Sequence, residues 1–228
     1  MLLNLLKDSL NFYRRNLVFL AMIVLPFSIS VGLFELVLNQ AALPDANILA
    51  NPSIPFLLSL MIYPISQSAV ILAIAASVDG QYPPLPALWR AGLRLWFPVA
   101  AVNFLYAAAI LGGLFMLIIP GLYFMVRFMF AEYAVVLNKQ HPLDAMRTSW
   151  LLSKGYFRLL LGGFLVITAL IYFPALMLTS VLSKLPIAPF FSEFLPSQLF
   201  SVLGIFYAVF VFRVFHQAQA EAKTGPDA

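Results

Sequence analysis

The sequence has no cysteine among its 228 residues and very little charge, with Asp, Glu, Lys and Arg making up only 10%. The missing cysteines exclude disulfides, thiolate metal sites and cysteine nucleophiles. A soluble domain usually carries about 25% charged residues, so this chain has too few to cover a surface exposed to water. The hydrophobic residues, 63% of the chain, instead fill runs of about 20 residues, which is the length that crosses a bilayer. We therefore expect an integral membrane protein rather than a soluble one.

The sequence also lacks the common patterns of catalytic and metal sites. Its two histidines, His141 and His216, have no His or Glu partner at metal-binding spacing. No Gly-x-Ser-x-Gly motif, phosphate-binding glycine loop or acidic cluster for Mg²⁺ occurs. We therefore predict no catalytic residue, no metal and no cofactor, and a non-enzymatic protein. The basic residues lie at helix ends rather than in one stripe, which argues against nucleic acid as a partner.

Six apolar segments are long enough, or nearly so, to span the bilayer. They predict an all-α membrane protein, a bundle of six transmembrane helices forming a single integral membrane domain over residues 1–228. No small-residue cleavage site follows the first segment, so we expect it to remain in the mature protein. The predicted spans are about 16–38, 54–78, 97–119, 122–137, 157–182 and 197–215.

The distribution of the 13 Lys and Arg residues predicts the orientation. With six spans and the N-terminus inside, only Lys184 falls outside and only Arg127 lies within a span. Cytoplasmic loops are enriched in Lys and Arg, so both termini are predicted to be cytoplasmic. The residues on the inner side are Lys7, Arg14, Arg15, Arg90, Arg94, Lys139, Arg147, Lys154, Arg158, Arg213 and Lys223.

Three basic, amphipathic stretches precede odd-numbered spans, at residues 2–15, 85–96 and 142–157. Such segments can lie in the membrane interface with their basic face toward anionic lipid head groups. They can equally be cytoplasmic extensions of the helices that follow them, and both interpretations stay open. The candidate interfacial contacts are Arg14, Arg15, Arg90, Arg94, Arg147, Lys154 and Arg158.

Similar lead-ins introduce the second and third stretches, at residues 79–83 and 138–142, and each ends in proline. This similarity suggests a unit of one short amphipathic interfacial helix plus one transmembrane hairpin, used three times. If so, the three hairpins should superpose.

Charged residues inside a membrane are costly and mark candidate sites. The candidates are Arg127 and Glu132 in the fourth span, with Glu35 of the first span as a group that could reach Arg127. A spacing of five residues separates Arg127 and Glu132 by about 140° around a helix, so each needs another partner. The group is either a lipid-phosphate or ion site, or a structural ion pair that fixes helix register. Further polar residues able to bond between helices are Ser66, Gln67, Ser68, Asn103 and Tyr106.

Small residues and prolines predict where helices pack closely and where they bend. Gly112 and Gly113 complete small-xxx-small faces in the third span, and adjacent glycines at 162 and 163 allow close approach in the fifth. Pro120-Gly121 is predicted to start the fourth span. Kinks are predicted at three further prolines, Pro26, Pro64 and Pro174.

Several segments together resemble the YciC-like family of uncharacterised bacterial inner-membrane proteins. They are residues 8–16, 120–123 with Arg127, Ala131 and Val135-Val136, then 142–150 with Lys154-Gly155, and 211–215. These segments are also similar to the membrane domain of some bacterial glycerophosphodiester phosphodiesterases. The resemblance implies a six-span protein of the bacterial inner membrane and brings no catalytic residues with it.

Two functional hypotheses follow. The first is a non-enzymatic multi-pass protein whose partners are membrane lipids, anionic ones in particular, or another membrane protein or a second copy of the chain. The second is a small transporter or channel with a site around Arg127 and Glu132. The second requires a water-accessible cavity at these side chains, whereas a dry, paired arrangement would count against it.

Overall fold

A computed structural model describes residues 2–40 and 53–224, and in these ranges the chain is α-helical with no β-strand. Residues 1, 41–52 and 225–228 of the predicted domain lie outside the described residues. The described part contains nine α-helices and two π-helical segments. In chain order they are α1 Leu2–Gln40, α2 Ser53–Val78, α3 Leu85–Arg94, α4 Trp96–Met116, α5 Ile118–Arg127, α6 Ala131–Asn138, α7 Pro142–Ile167, the first π segment Thr168–Tyr172, α8 Phe173–Leu182, the second π segment Phe190–Phe194 and α9 Leu195–Thr224.

Six helical stretches of the described chain are long and apolar enough to cross a membrane, and they follow the predicted spans in order. The predicted all-α bundle of six such helices is therefore confirmed. The stretches are Leu2–Val37, Leu57–Val78, Trp96–Met116, Ile118–Asn138, Pro142–Leu182 and Phe190–Thr224. Many apolar side chains on their outer faces stay exposed, such as Phe104, Phe115 and Leu170, as expected of a protein surrounded by lipid.

Two of the three amphipathic stretches are extensions of spanning helices. The stretches at 2–15 and 142–157 are continuous with α1 and α7, so only the second forms a separate short helix, α3. Helix α3 buries Leu88 and Gly92 against the bundle. The Trp89 Nε1 group donates to the Ile23 carbonyl at 3.4 Å, which ties α3 to α1. The three hairpins follow one another as α1–α2, α3–α6 and α7–α9, and their superposition stays a prediction.

The core centres on α9, which packs against α1, α2 and α7. Its residues from Ala208 to Phe212 are all buried, and so are five of the eight residues of α6. The hydroxyls of Tyr13 and Tyr133 donate to the carbonyls of Val202 and Ala208 on α9, at 3.0 and 2.9 Å. These bonds pair buried hydroxyls with backbone and fix α1 and α6 against α9.

Both π-helical segments lie just before a proline. Each segment ends two residues before a proline, Pro174 in one case and Pro196 in the other. Proline has no N–H and crowds the carbonyl four residues earlier, and the wider π turn relieves that clash. In contrast, α1 and α2 continue through Pro26 and Pro64.

Helix α5 begins four residues earlier than the predicted span, at Ile118 rather than 122. Pro120 is therefore inside the first helical turn. Proline is tolerated there because the first N–H groups of a helix have no intrahelical acceptor. The turn between α4 and α5 is the single residue Leu117, whose backbone is extended.

The tight α4–α5 hairpin depends on Gly113, and the adjacent Gly112 provides a matched control. A Cβ atom at Gly113 would lie 2.8 Å from the Cα of Gly121, whereas a Cβ at Gly112 meets nothing within 4 Å. We expect Gly113→Ala to destabilise the protein by about 1–3 kcal/mol through overpacking, and Gly112→Ala to be neutral or slightly stabilising. Thermal unfolding of the two variants in detergent checks this, and equal melting temperatures would contradict it.

Candidate functional site

The fourth spanning stretch is interrupted at its centre, because α5 ends at Arg127 and α6 starts only at Ala131. Two buried serines of α7 bond the backbone that this interruption leaves free. The Ser149 hydroxyl donates to the Arg127 carbonyl at 2.8 Å and accepts from the Phe130 N–H at 3.1 Å. The Ser153 hydroxyl donates to the same carbonyl at 2.9 Å. Backbone groups that cannot reach water must be paired inside the protein, and these serines meet that requirement.

Arg127 is 3% exposed and lies against aromatic rings. Its guanidinium carbon is 4.2 Å from the centre of the Trp150 ring and 5.8 Å from that of Tyr123. A desolvated contact of this kind contributes about 2 kcal/mol. The cation also lies at the C-terminal end of α5, where the helix dipole favours positive charge. The Arg127 side chain therefore holds α5 against α7.

Glu132 lies five residues further on, in the first turn of α6, and has different neighbours. Gln67 Nε2 donates to its carboxyl at 3.2 Å. Tyr63 and Asn103 also lie near this carboxyl. The Asn103 amide oxygen is buried without a hydrogen-bond partner in the part of the chain that the structure describes. The three polar side chains come from α2 and α4, so Glu132 is the point where α2, α4 and α6 meet.

These groups line a partly open cavity of about 580 Å³ inside the bundle. Its wall is formed by α1, α2, α4, the segment from Phe128 to Tyr133, the first π segment and α9. Among the residues that line it, Glu132 is the single carboxylate, and none is Lys, Arg or His. The polar lining residues are Tyr63, Ser66, Gln67, Asn103, Tyr106, Glu132, Tyr133, Tyr172, Ser197, Ser201 and Tyr207.

Two interrupted helices contribute to this cavity. The break between α5 and α6 supplies Phe128 and Met129, the first turn of α6 supplies Glu132, and the first π segment supplies Tyr172. Irregular backbone is tolerated at membrane depth where it is buried in protein or lines a cavity. Both interruptions meet that condition, so the same local features that disturb the helices also shape the cavity.

Glu35 lies apart from both Arg127 and Glu132. It is exposed and lines a second cavity of about 470 Å³, together with Glu193. This cavity lies where α1 and α8 end and α9 begins, and it shares Ser197 with the first cavity. The structure therefore does not bring the three predicted charges together. In the described residues, Arg127 has aromatic neighbours and no ion pair, Glu132 has amide and tyrosine neighbours, and Glu35 is at a helix end.

The seven candidate interfacial residues are all exposed. They lie near the start of α1, on α3 and in the first two thirds of α7, away from the lining of the first cavity. Chain order places the start of α1, the end of α2 and the start of α7 at one end of the bundle. Their side chains are therefore free to contact water or lipid head groups.

The sequence alone did not single out most of the tyrosines and serines that line the first cavity. One usable signal was on α9, where Ser197, Ser201, Gly204 and Ala208 recur at spacings of three or four residues. That spacing places small residues on one face of a helix. Such a face is also typical of ordinary helix packing, so it does not by itself predict a binding site.

Compared with known proteins, the chain matches no protein-family model, no curated protein and no solved structure. Within residues 2–40 and 53–224, no group of three or more His, Asp or Glu side chains is placed to hold a metal ion. The fold and the cavity themselves define the class: this is a multi-pass helical membrane protein with a cavity in its bundle that is lined by both apolar and polar side chains.

Proposed function

We propose that this protein is a small transporter that binds its substrate in the cavity around Glu132 and acts without catalysis. The observation that carries this proposal is the cavity of about 580 Å³ inside the bundle, with one carboxylate in its wall. Small-molecule sites typically occupy about 300–1,000 Å³ and combine an apolar lining with a few polar groups. The cavity fits that description in both size and chemistry.

The interrupted helices support a transporter over a passive structural role. Transporter sites are typically built from discontinuous spanning helices near the middle of the bundle. Here the α5–α6 break and the first π segment both lie in the cavity wall. The site is centred on Glu132 alone, whereas the sequence suggested a site around both Arg127 and Glu132, because Arg127 lies against Trp150.

The proposal also places the protein in a bacterial inner membrane with both termini in the cytoplasm. The distribution of Lys and Arg over the chain and the resemblance to the YciC-like family support this placement. In this orientation the second cavity, at Glu35 and Glu193, faces the periplasm. It shares Ser197 with the first cavity and would form its entrance.

Cysteine accessibility tests the proposal directly, because the chain has no cysteine of its own. Ser201 and Ser68 each donate to the carbonyl four residues earlier, at 2.9 and 2.6 Å, but only Ser201 lines the cavity. Ser68 is fully buried. In reconstituted protein, we expect Ser201→Cys to react with a small water-soluble methanethiosulfonate and Ser68→Cys to stay protected.

The reaction rate decides between a wet and a dry cavity. Modification of Ser201→Cys much faster than Ser68→Cys supports a water-accessible site. Equal protection of the two cysteines, in variants that elute as folded protein, would mean that the cavity is dry and would refute the transporter proposal.

A second candidate function is contact with anionic lipid, and the exposed basic residues favour it. Arg90 and Arg94 lie on α3, which also buries Leu88 against the bundle. A basic side chain near an anionic membrane surface contributes about 1 kcal/mol to binding. The protein would therefore gather anionic lipid around its cytoplasmic end, whatever its cavity binds.

Removing one positive charge at either end of the bundle tests this second function. We expect Arg94→Gln to reduce the share of phosphatidylglycerol that copurifies from a mixed phosphatidylglycerol–phosphatidylcholine bilayer. Lys184→Gln removes an equally exposed charge from the opposite end and is expected to change little. Native mass spectrometry of the bound lipid measures the difference. Equal effects of the two substitutions, or no preference for anionic lipid in the parent protein, would contradict it.

A further inference from the structure

The Glu132 carboxyl has no basic partner in the wall of the cavity. Glu132 is the carboxylate in the lining, and no Lys, Arg or His side chain is among the lining residues. The nearest basic residue in the fourth span, Arg127, lies against Trp150 and Tyr123 instead. No ion pair involves Glu132 within residues 2–40 and 53–224. A positively charged ligand would supply the missing partner.

The Asn103 side chain provides a second indication of a ligand. Its amide nitrogen lies close to the Glu132 carboxyl, but its amide oxygen is buried without a hydrogen-bond partner in the described residues, and the residue lines the cavity. Buried polar groups are nearly always paired, and an unpaired one costs about 1–3 kcal/mol. An occupant of the cavity that carries a hydrogen-bond donor would satisfy this oxygen beside Glu132.

Aromatic rings surround the same carboxylate. Five tyrosines line the cavity, and the hydroxyls of two of them are already used by backbone. Tyr106 donates to the Met125 carbonyl at 3.1 Å and Tyr133 to the Ala208 carbonyl at 2.9 Å, which fixes these rings in the wall. Aromatic rings combined with a carboxylate are the chemistry that recognises ammonium groups, including quaternary ones.

We propose that the cavity binds a small amphipathic organic cation, with its ammonium group at Glu132 and its apolar part against Val24, Val70 and Phe200. This inference rests on the proposed transporter function and names its substrate class. The second cavity is consistent with it, because its carboxylates, Glu35 and Glu193, would attract cations toward Ser197.

The test compares two probes of nearly equal shape, protonated N,N-dimethylbenzylamine, which carries one N–H donor, and its neutral carbon analogue isobutylbenzene. Binding is measured by equilibrium dialysis on the full chain in zwitterionic nanodiscs, so that surface charge does not concentrate the cation, and the uptake of protein-free nanodiscs is subtracted. We expect the cation to bind more tightly than the neutral analogue. Glu132→Gln should lower the binding affinity for the cation by about tenfold or more, corresponding to roughly 1.4 kcal/mol. The same substitution should leave the affinity for the neutral analogue unchanged.

Two further variants make the result specific. Glu221→Gln is the same substitution at an exposed position outside this cavity and should leave the binding of both probes unchanged. Glu132→Asp keeps the charge and should retain more cation affinity than Glu132→Gln, which separates loss of charge from loss of fold.

Three results would overturn the inference. They are equal affinity of the two probes, full cation affinity in Glu132→Gln, and no measurable cation binding. If Ser201→Cys is still modified by the water-soluble reagent, the transporter proposal survives such a failure and only the cationic substrate class is lost. If Ser201→Cys is protected, both fail together.

Discussion

The hydroxyls of Ser149 and Ser153 are the contacts on which the candidate site depends. They bond the carbonyl of Arg127 and the N–H of Phe130, the groups left free between α5 and α6. In hydrocarbon these groups would have no other partner, and each unpaired one costs about 1–3 kcal/mol even in protein interiors. Helix α7 thus stabilises the break between α5 and α6 in the middle of the bundle.

The interruption separates two charges that lie close together in sequence. Arg127 ends α5 and lies against the rings of α5 and α7, whereas Glu132 opens α6 and lies beside Gln67 in the cavity. Because each side chain has its own surroundings, Arg127 acts in packing, whereas Glu132 lies in the wall of the cavity.

The six spans could be predicted because bilayer thickness fixes the length of an apolar helix. The break at residues 128–130 could not, because the local sequence Phe-Met-Phe contains neither proline nor glycine. Its stabilising partners are 22 and 26 residues away from Arg127. The polarity of Gln67 and Asn103 was visible in the sequence, but their convergence on Glu132 depends on how α2, α4 and α6 pack. The first π segment lies between these cases, since Pro174 predicted a kink but not a π turn.

The most direct test is whether Ser149 and Ser153 hold position 132 in the wall of the cavity. A cysteine in place of Glu132 should react with a small water-soluble thiol reagent, because this position lines the cavity. Adding Ser149→Ala and Ser153→Ala removes the bonds that hold the break. In protein that still elutes as folded, we predict several-fold slower labelling, since a straightened helix turns position 132 away from the cavity. An unchanged labelling rate would show that the serines do not position Glu132 and would contradict the account.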